Sequence, residues 1–154
     1  MDKSKIEMLT PENCQLIFID HQPQMAFGVQ SIDRQVLKNN TVALAKSAKT
    51  FDVPTIITTV ETDAFSGHTY PELLEVFPEL PLLERTSMNS WDDQKIRDAL
   101  AQNGRKKVLV SGLWTEVCNI GFAFSAMLEG GYEIYMVADA SGGTSAQAHD
   151  YAMD

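Results

Sequence analysis

The sequence of 154 residues contains few cysteines, few basic residues and no long hydrophobic run. Two cysteines are too few for the disulfide scaffold of a small secreted domain, and segment 1–14 lacks the apolar stretch of a signal peptide. No apolar run reaches the roughly 20 residues that a membrane helix needs. These absences predict a cytoplasmic protein that does not associate with membranes.

Basic side chains are also scarce, since 12 Lys and Arg stand against 21 Asp and Glu, which gives a net charge of −9. This charge repels nucleic acids and anionic lipids and disfavours both as partners. The run 105–107 is the basic cluster of the chain, and it follows a helical pattern, where cations suit a helix end. No glycine-rich phosphate loop follows the first apolar run, so a nucleotide cofactor is not expected.

The pattern of apolar runs predicts an α/β fold in a single domain over residues 1–154. Five short apolar runs read as strands, and three segments with helical periodicity lie between them. The expected strands are 14–20, 53–60, 80–83, 107–111 and 133–138, and the expected helices are 32–49, 91–102 with Ser90 as N-cap, and 115–129. This alternation predicts a doubly wound, mainly parallel sheet with helices on both faces and strand order 3-2-1-4-5.

Two segments stand apart from this alternation. Segment 63–78 is irregular and rich in aromatic residues, and we expect a loop plus a short helix that covers a site or simply connects two strands. The last residues read as the first turns of a helix after the Ser- and Gly-rich run 141–145, and a further helix and strand are expected beyond them. Either the chain is cut short, or another subunit covers the exposed sheet edge.

Cys118 is the first candidate for chemistry. The apolar run that begins at Val108 breaks at Gly112, and helical spacing restarts after Thr115, which places Cys118 in the first turn of a helix. Free N–H groups and the helix dipole at that point favour a thiolate near neutral pH, so we expect a nucleophile. The alternative is a small buried side chain, which is our interpretation of Cys14.

Two charged residues are expected near Cys118. Asp20 ends the first strand, and in the order 3-2-1-4-5 its strand lies beside the strand that precedes Cys118. A carboxylate next to a thiol opposes thiolate formation, so a cation must complete the group. Arg85, just after the third strand, is the candidate.

Four segments resemble a known family. They are IFIDHQ at 17–22, ERTSMNSW at 84–91, VSGLWTEVCN at 110–119 and VADASGG at 137–143. Over nearly its whole length the chain resembles the isochorismatase-like cysteine hydrolases, and within them the YcaC-like branch. The resemblance implies hydrolysis of a small amide or related C–N bond through a thioester, without a cofactor.

The resemblance also implies roles for individual residues. Cys118 is the nucleophile and Asp20 the base that takes its proton, while Arg85 stands where the family has lysine. Since arginine stays protonated at all working pH values, proton transfer falls on Asp20 alone. A cis peptide bond is expected between Leu113 and Trp114, with the backbone N–H groups of Trp114 and Cys118 as the oxyanion hole. The expected substrate pocket consists of Phe27, His68, Asn89 and Trp114.

Other readings remain open. Glu61, Asp63 and His68 fall where metal-binding relatives carry an Asp and two His, but a second histidine is missing, so no metal is expected. His21 is expected at the pocket wall or just behind it. The alternative to an enzyme is a non-catalytic module that binds a metabolite or senses redox state. In either case the bare sheet edge and the relatives imply a homo-oligomer.

Overall fold

Five strands alternate with helices along the chain, of which a computed structural model describes residues 7–154. The first six residues, part of the segment tested for a signal peptide, lie outside the described range. The strands are β1 (Cys14–Ile19), β2 (Thr55–Val60), β3 (Leu82–Arg85), β4 (Lys107–Gly112) and β5 (Glu133–Met136). The α-helices are α1 (Pro23–Phe27), α2 (Arg34–Thr50), α3 (Pro71–Val76), α4 (Gln94–Asn103), α5 (Ile120–Leu128) and α6 (Ala146–Met153). Among the helices of the described range, none is long and apolar enough to cross a bilayer.

The strands form one parallel sheet in the order β3-β2-β1-β4-β5, which confirms the predicted fold class and strand order. β1 lies in the centre. Its last residue, Ile19, pairs with Thr58 of β2 on one side and with Gly112 of β4 on the other. The carboxyl ends of these strands therefore meet at one edge of the sheet, where the chain enters the loops that carry the site.

Alternate residues of β1 serve two separate hydrophobic cores. Leu16 and Phe18 face the layer of α1, α2 and α3, whereas Ile17 and Ile19 face the layer of α4 and α5. The second core includes Trp91, which is 6% exposed and stacks edge-on against Phe122. Because both faces are covered, β1 reads in the sequence as a continuous apolar run rather than as an alternating one.

The start of the fourth helix differs from the expectation. Ser90 is not its N-cap; residues Ser90–Asp92 form a 3₁₀ turn, and α4 begins afterwards. The side chain of Asn89 caps that turn by accepting the Trp91 N–H at 3.1 Å, and Asp93 caps α4. Two Asx side chains close together thus divide what looked like one helix, since each satisfies its own set of free N–H groups.

The irregular segment 63–78 does contain a short helix, as expected. A π-helical turn spans Thr62–Ser66, and α3 follows. Its aromatic side chains are not all exposed, since Tyr70 and Phe77 are 7% and 6% exposed and belong to the first core. Phe65 alone among the aromatic residues of this segment is largely exposed, at 65%.

Candidate active site

Asp20 follows β1 in a left-handed backbone conformation, with φ of 56°. Its N–H still bonds to the Thr58 carbonyl at 3.0 Å, so the residue continues the sheet while its backbone turns away from the strand. Aspartate is one of the few non-glycine residues that adopt this conformation without much cost. Its side chain is completely buried.

Arg85, the last residue of β3, holds the Asp20 carboxylate with both ends of its guanidinium. The two N···O distances are 2.6 and 2.7 Å, and neither side chain is exposed. The same guanidinium donates to the Thr58 hydroxyl at 3.2 Å and to the Met88 carbonyl at 3.3 Å. A buried pair of this kind fixes geometry, because removing one partner leaves an uncompensated charge and costs about 3–5 kcal/mol.

Cys118 lies in a π-helical turn, Thr115–Asn119, between β4 and α5, and is 2% exposed. Its thiol lies beside the Asp20 carboxylate, which acts on its pKa. Burial raises the pKa of Cys118 to about 12, and the Asp20 charge and hydrogen bond add to this rise, whereas Arg85 and the Trp114 N–H oppose it. The expectation of a thiolate near neutral pH is wrong for this resting structure, since loss of water outweighs the helix end.

The turn before Cys118 contains the cis peptide bond between Leu113 and Trp114 that the resemblance implied. The Trp114 N–H lies near enough to the Cys118 thiol to lower its pKa. The Cys118 N–H, in contrast, donates to the Trp114 carbonyl at 3.0 Å. Of the two expected oxyanion-hole donors, Trp114 therefore lies near the sulfur, while Cys118 must share its N–H with an existing hydrogen bond.

A cavity of about 250 Å³ opens beside the Cys118 sulfur. Most of the side chains that line it are apolar, and they come from the loops after β1, β2, β3 and β4. The lining residues are Met25, Val60, Glu61, Phe65, Ser66, Thr86, Met88, Trp114 and Cys118. The Trp114 indole is fixed in the wall by its Nε1–H, which donates to the Met25 carbonyl at 2.8 Å.

Three of the four predicted pocket residues do not line this cavity. Phe27 is 72% exposed, with the Arg34 guanidinium over its ring. His68 is exposed on the segment 63–78. Asn89 uses its side chain to cap the 3₁₀ turn and to bond Ser125. Trp114 is the predicted pocket residue that does line it. Pairing with neighbouring side chains or backbone accounts for the positions of Phe27 and Asn89.

His21 is buried behind the site rather than in the cavity wall. Its Nε2 lies 2.9 Å from the Ser111 hydroxyl, and that hydroxyl donates to the Ala140 carbonyl at 2.6 Å. Burial lowers the pKa of His21 to about 3, so the imidazole is neutral at working pH. Across residues 7–154, no group of three or more His, Cys, Asp or Glu side chains is placed to hold a metal ion.

Sequence reasoning missed the contribution of Gln22. This buried side chain donates to the Val60 carbonyl at 3.0 Å and to the Gly67 carbonyl at 2.5 Å, and it accepts the Val60 N–H at 3.0 Å. It therefore ties the end of β2 and the start of segment 63–78 to the residues after Asp20. The sequence signal for this role was the position of Gln22, two residues after Asp20 at the end of β1.

Two further polar side chains, Glu116 and Asn119, brace the Cys118 turn. Asn119 donates to the Gly112 carbonyl and to the Ser141 hydroxyl, both at 3.2 Å. Glu116 accepts the backbone N–H of Thr144 at 2.9 Å. The loop before α6 is thus fastened to the turn that carries the thiol.

Comparison with known proteins shows which family and which relatives this chain resembles. The isochorismatase domain profile matches residues 14–154. The probable hydrolase YcaC of Escherichia coli K12 is 34% identical over 135 residues, which are 87% of this chain and 64% of YcaC, so the chain spans less than two thirds of that relative. The structure of E. coli YcaC, described as an octameric hydrolase of unknown specificity, superposes with a TM-score of 0.91 at 34% identity, over 95% of this chain and 72% of that one.

A second solved structure is equally similar. YcaC of Pseudomonas aeruginosa, determined with hexane-2,5-diol and covalent acrylamide, gives a TM-score of 0.91 at 34% identity, over 96% of this chain and 73% of that one. The profile match covers the sheet and every residue of the site described above. The chain therefore belongs to the isochorismatase family and resembles its YcaC-like members.

Proposed function

We propose that this protein is a cysteine hydrolase that cleaves a small amide or related C–N bond through a thioester. The observation that carries the proposal is the Cys118 thiol, which opens on a 250 Å³ cavity and lies beside a carboxylate that Arg85 holds in place. A nucleophile, a base and a group that orients the base are thus in contact, which is the arrangement that covalent catalysis requires.

The raised thiol pKa determines how the first step proceeds. With a pKa of about 12, Cys118 holds its proton in the resting enzyme. The proton passes to Asp20 as the sulfur bonds to the substrate carbonyl carbon, and the Trp114 N–H stabilises the oxygen anion that develops. Arg85 remains protonated and only orients the carboxylate.

The second half of the reaction returns the enzyme to its starting state. Protonated Asp20 gives its proton to the leaving nitrogen as the C–N bond breaks, which releases ammonia or an amine and leaves a thioester on Cys118. Water then attacks the thioester while Asp20 accepts its proton, and the sulfur leaves and is reprotonated. A carboxylic acid and the free thiol result.

The relatives support this chemistry. Covalent acrylamide in P. aeruginosa YcaC is a primary amide that alkylates thiols, and E. coli YcaC is described as a hydrolase. Both properties agree with a thiol that meets amides in a closed site.

We also propose that the protein is a homo-oligomer, as E. coli YcaC is. Phe124 and Leu128 of α5 and Tyr151 of α6 are 57%, 82% and 73% exposed and form an apolar surface that a second copy would cover. Light scattering at low micromolar concentration should give a multiple of the 17.1 kDa chain mass. A mass of one chain would contradict this part of the proposal.

Two cysteine variants test the hydrolase function. We expect Cys118→Ala to abolish ammonia release from a panel of small amides and carbamoyl compounds, and Cys14→Ala to retain most of it, because Cys14 lies at the opposite end of β1. Mass spectrometry should find acrylamide on Cys118 and not on Cys14. Two unreactive thiols would instead favour a non-catalytic binding module, and equal loss in both variants would refute the role of Cys118.

A further inference from the structure

The cavity beside Cys118 is small, apolar and poor in positive charge. Its volume of about 250 Å³ lies below the roughly 300–1,000 Å³ that is typical of sites for drug-sized ligands. Met25, Phe65, Met88 and Trp114 supply most of the wall, and no Lys, Arg or His is among the nine lining residues. An acyl group without a charge suits such a wall, because a carboxylate would lose its water without gaining an ionic partner.

Arg85, whose charge acts on the Cys118 thiol, is not free to bind a substrate carboxylate. Both of its terminal nitrogens bond to Asp20, and the guanidinium also donates to Thr58 and Met88. The pair is fully buried, so its two charges largely offset one another towards the cavity.

Glu61 adds a negative charge to the cavity lining. It follows β2 in a left-handed conformation with φ of 47°, and its backbone is fixed on both sides. The N–H donates to the Arg85 carbonyl at 3.2 Å, and the carbonyl accepts the N–H groups of Ala64 and Ser66 at 3.1 and 3.2 Å. Among the nine lining residues it is the one with an acidic side chain.

We infer that, if the proposed hydrolase function holds, the substrates are small amides with an uncharged, apolar acyl group, and that Glu61 rejects substrates with a carboxylate close to the scissile bond. The site therefore selects against anionic amides and carbamoyl acids. The selection acts on binding to the cavity and not on the chemical step, since Glu61 meets the Cys118–Asp20–Arg85 group through a backbone hydrogen bond to the Arg85 carbonyl and not through its side chain.

Two alkylating reagents of similar size, one neutral and one negatively charged, test this inference. Iodoacetamide is neutral and transfers a carbamidomethyl group to the Cys118 sulfur, whereas iodoacetate is anionic and transfers a carboxymethyl group. In both reactions the new S–C bond replaces the C–I bond, iodide leaves, and the thiol proton goes to solvent. The ratio of the two rates at Cys118, followed by mass spectrometry, is compared with the ratio for 2-mercaptoethanol, which corrects for intrinsic reactivity. We expect Cys118 to prefer iodoacetamide by about tenfold more than the small thiol does at low salt.

Substitution then assigns the preference to a residue. Glu61→Gln should reduce the preference about threefold to tenfold, as expected for one charge within several ångströms, and added salt should weaken the preference in the parent protein. Glu61→Asn is the second variant, because asparagine tolerates the left-handed backbone if glutamine does not. Asp63→Asn removes the same charge from an exposed neighbour that does not line the cavity, and should change the ratio less.

The outcomes separate this inference from the proposed function. A Cys118 that reacts with both reagents in the ratio of the free thiol overturns the charge selection and leaves the nucleophile intact. A preference that persists in both Glu61 variants overturns the role of Glu61. A Cys118 that reacts with neither reagent overturns the proposed function, and this inference with it.

Discussion

Replacing Asp20 with asparagine should increase the fraction of Cys118 that is ionised and at the same time decrease turnover. The Asp20 charge and hydrogen bond both raise the pKa of the thiol, whereas Arg85 lowers it. Asp20→Asn keeps the shape of the side chain and its tolerance of the left-handed backbone but removes the charge. More thiolate should therefore form in a variant that has lost the proposed base.

The size of both effects follows from the site. With a pKa of about 12, about one thiol in 10,000 is ionised at pH 8. Burial, the largest cause, remains in the variant, so we expect the pKa to fall by at least about one unit without returning to its ordinary value. Turnover should fall by about 10²- to 10⁴-fold, because an amide cannot accept the proton. The unpaired Arg85 should cost about 3–5 kcal/mol of stability, or on the order of 10 °C in Tm.

Thiolate absorbance in the ultraviolet measures ionisation directly, and ammonia release measures turnover. Both are recorded well below the Tm of the variant. Asp33→Asn is the matched control, since it removes one acidic charge at an exposed helix N-cap where asparagine caps equally well. A thiol titration that is unchanged or shifted upward in Asp20→Asn would refute the electrostatic argument, and undiminished turnover would refute the assignment of Asp20 as the base.

Three further predictions concern stability. Arg85→Met should cost about 3–5 kcal/mol in urea unfolding, and the double variant with Asp20→Asn should be less destabilised than the sum of the two single variants, since it leaves no unpaired charge; additive losses would contradict this. Because burial lowers the pKa of His21 to about 3, the unfolded chain binds a proton that the native state does not between about pH 6.5 and 3. Stability should therefore fall as pH decreases in that window, by up to about 1.4 kcal/mol per unit, and His21→Gln should reduce that slope in urea titrations. Gly28→Ala should cost about 1–3 kcal/mol in the same assay, because its methyl group would lie 2.6 Å from the Trp114 ring; an unchanged midpoint would show that the indole moves freely.

The sequence was sufficient to predict the sheet and the three residues that meet at its edge. Continuous apolar runs such as β1 identify strands covered on both faces, and strand order then brings the end of β1, with Asp20, close to the loop after β4. The positions and the order of the strands depend on backbone periodicity and topology, and local sequence patterns indicate both.

The sequence patterns did not predict how the side chains in the loops are oriented. Asn89 is a polar residue near the site by position, yet it caps a neighbouring turn, and Phe27 faces outward beside Arg34. The thiol pKa was also misjudged, because the loss of water around Cys118 depends on how the surrounding loops pack. A short stretch of sequence does not show such effects of tertiary packing on a pKa.

The position of Trp114 has a practical consequence for studying this protein. The chain has two tryptophans, and Trp91 is sealed in the second core while Trp114 forms part of the cavity wall. Intrinsic fluorescence therefore contains one signal that is insulated from the cavity and one that borders it. In a Trp91→Phe background, the remaining emission would report when a molecule enters the site, without a label, a coupled enzyme or knowledge of the product. Candidate ligands can then be sought by titration rather than by turnover.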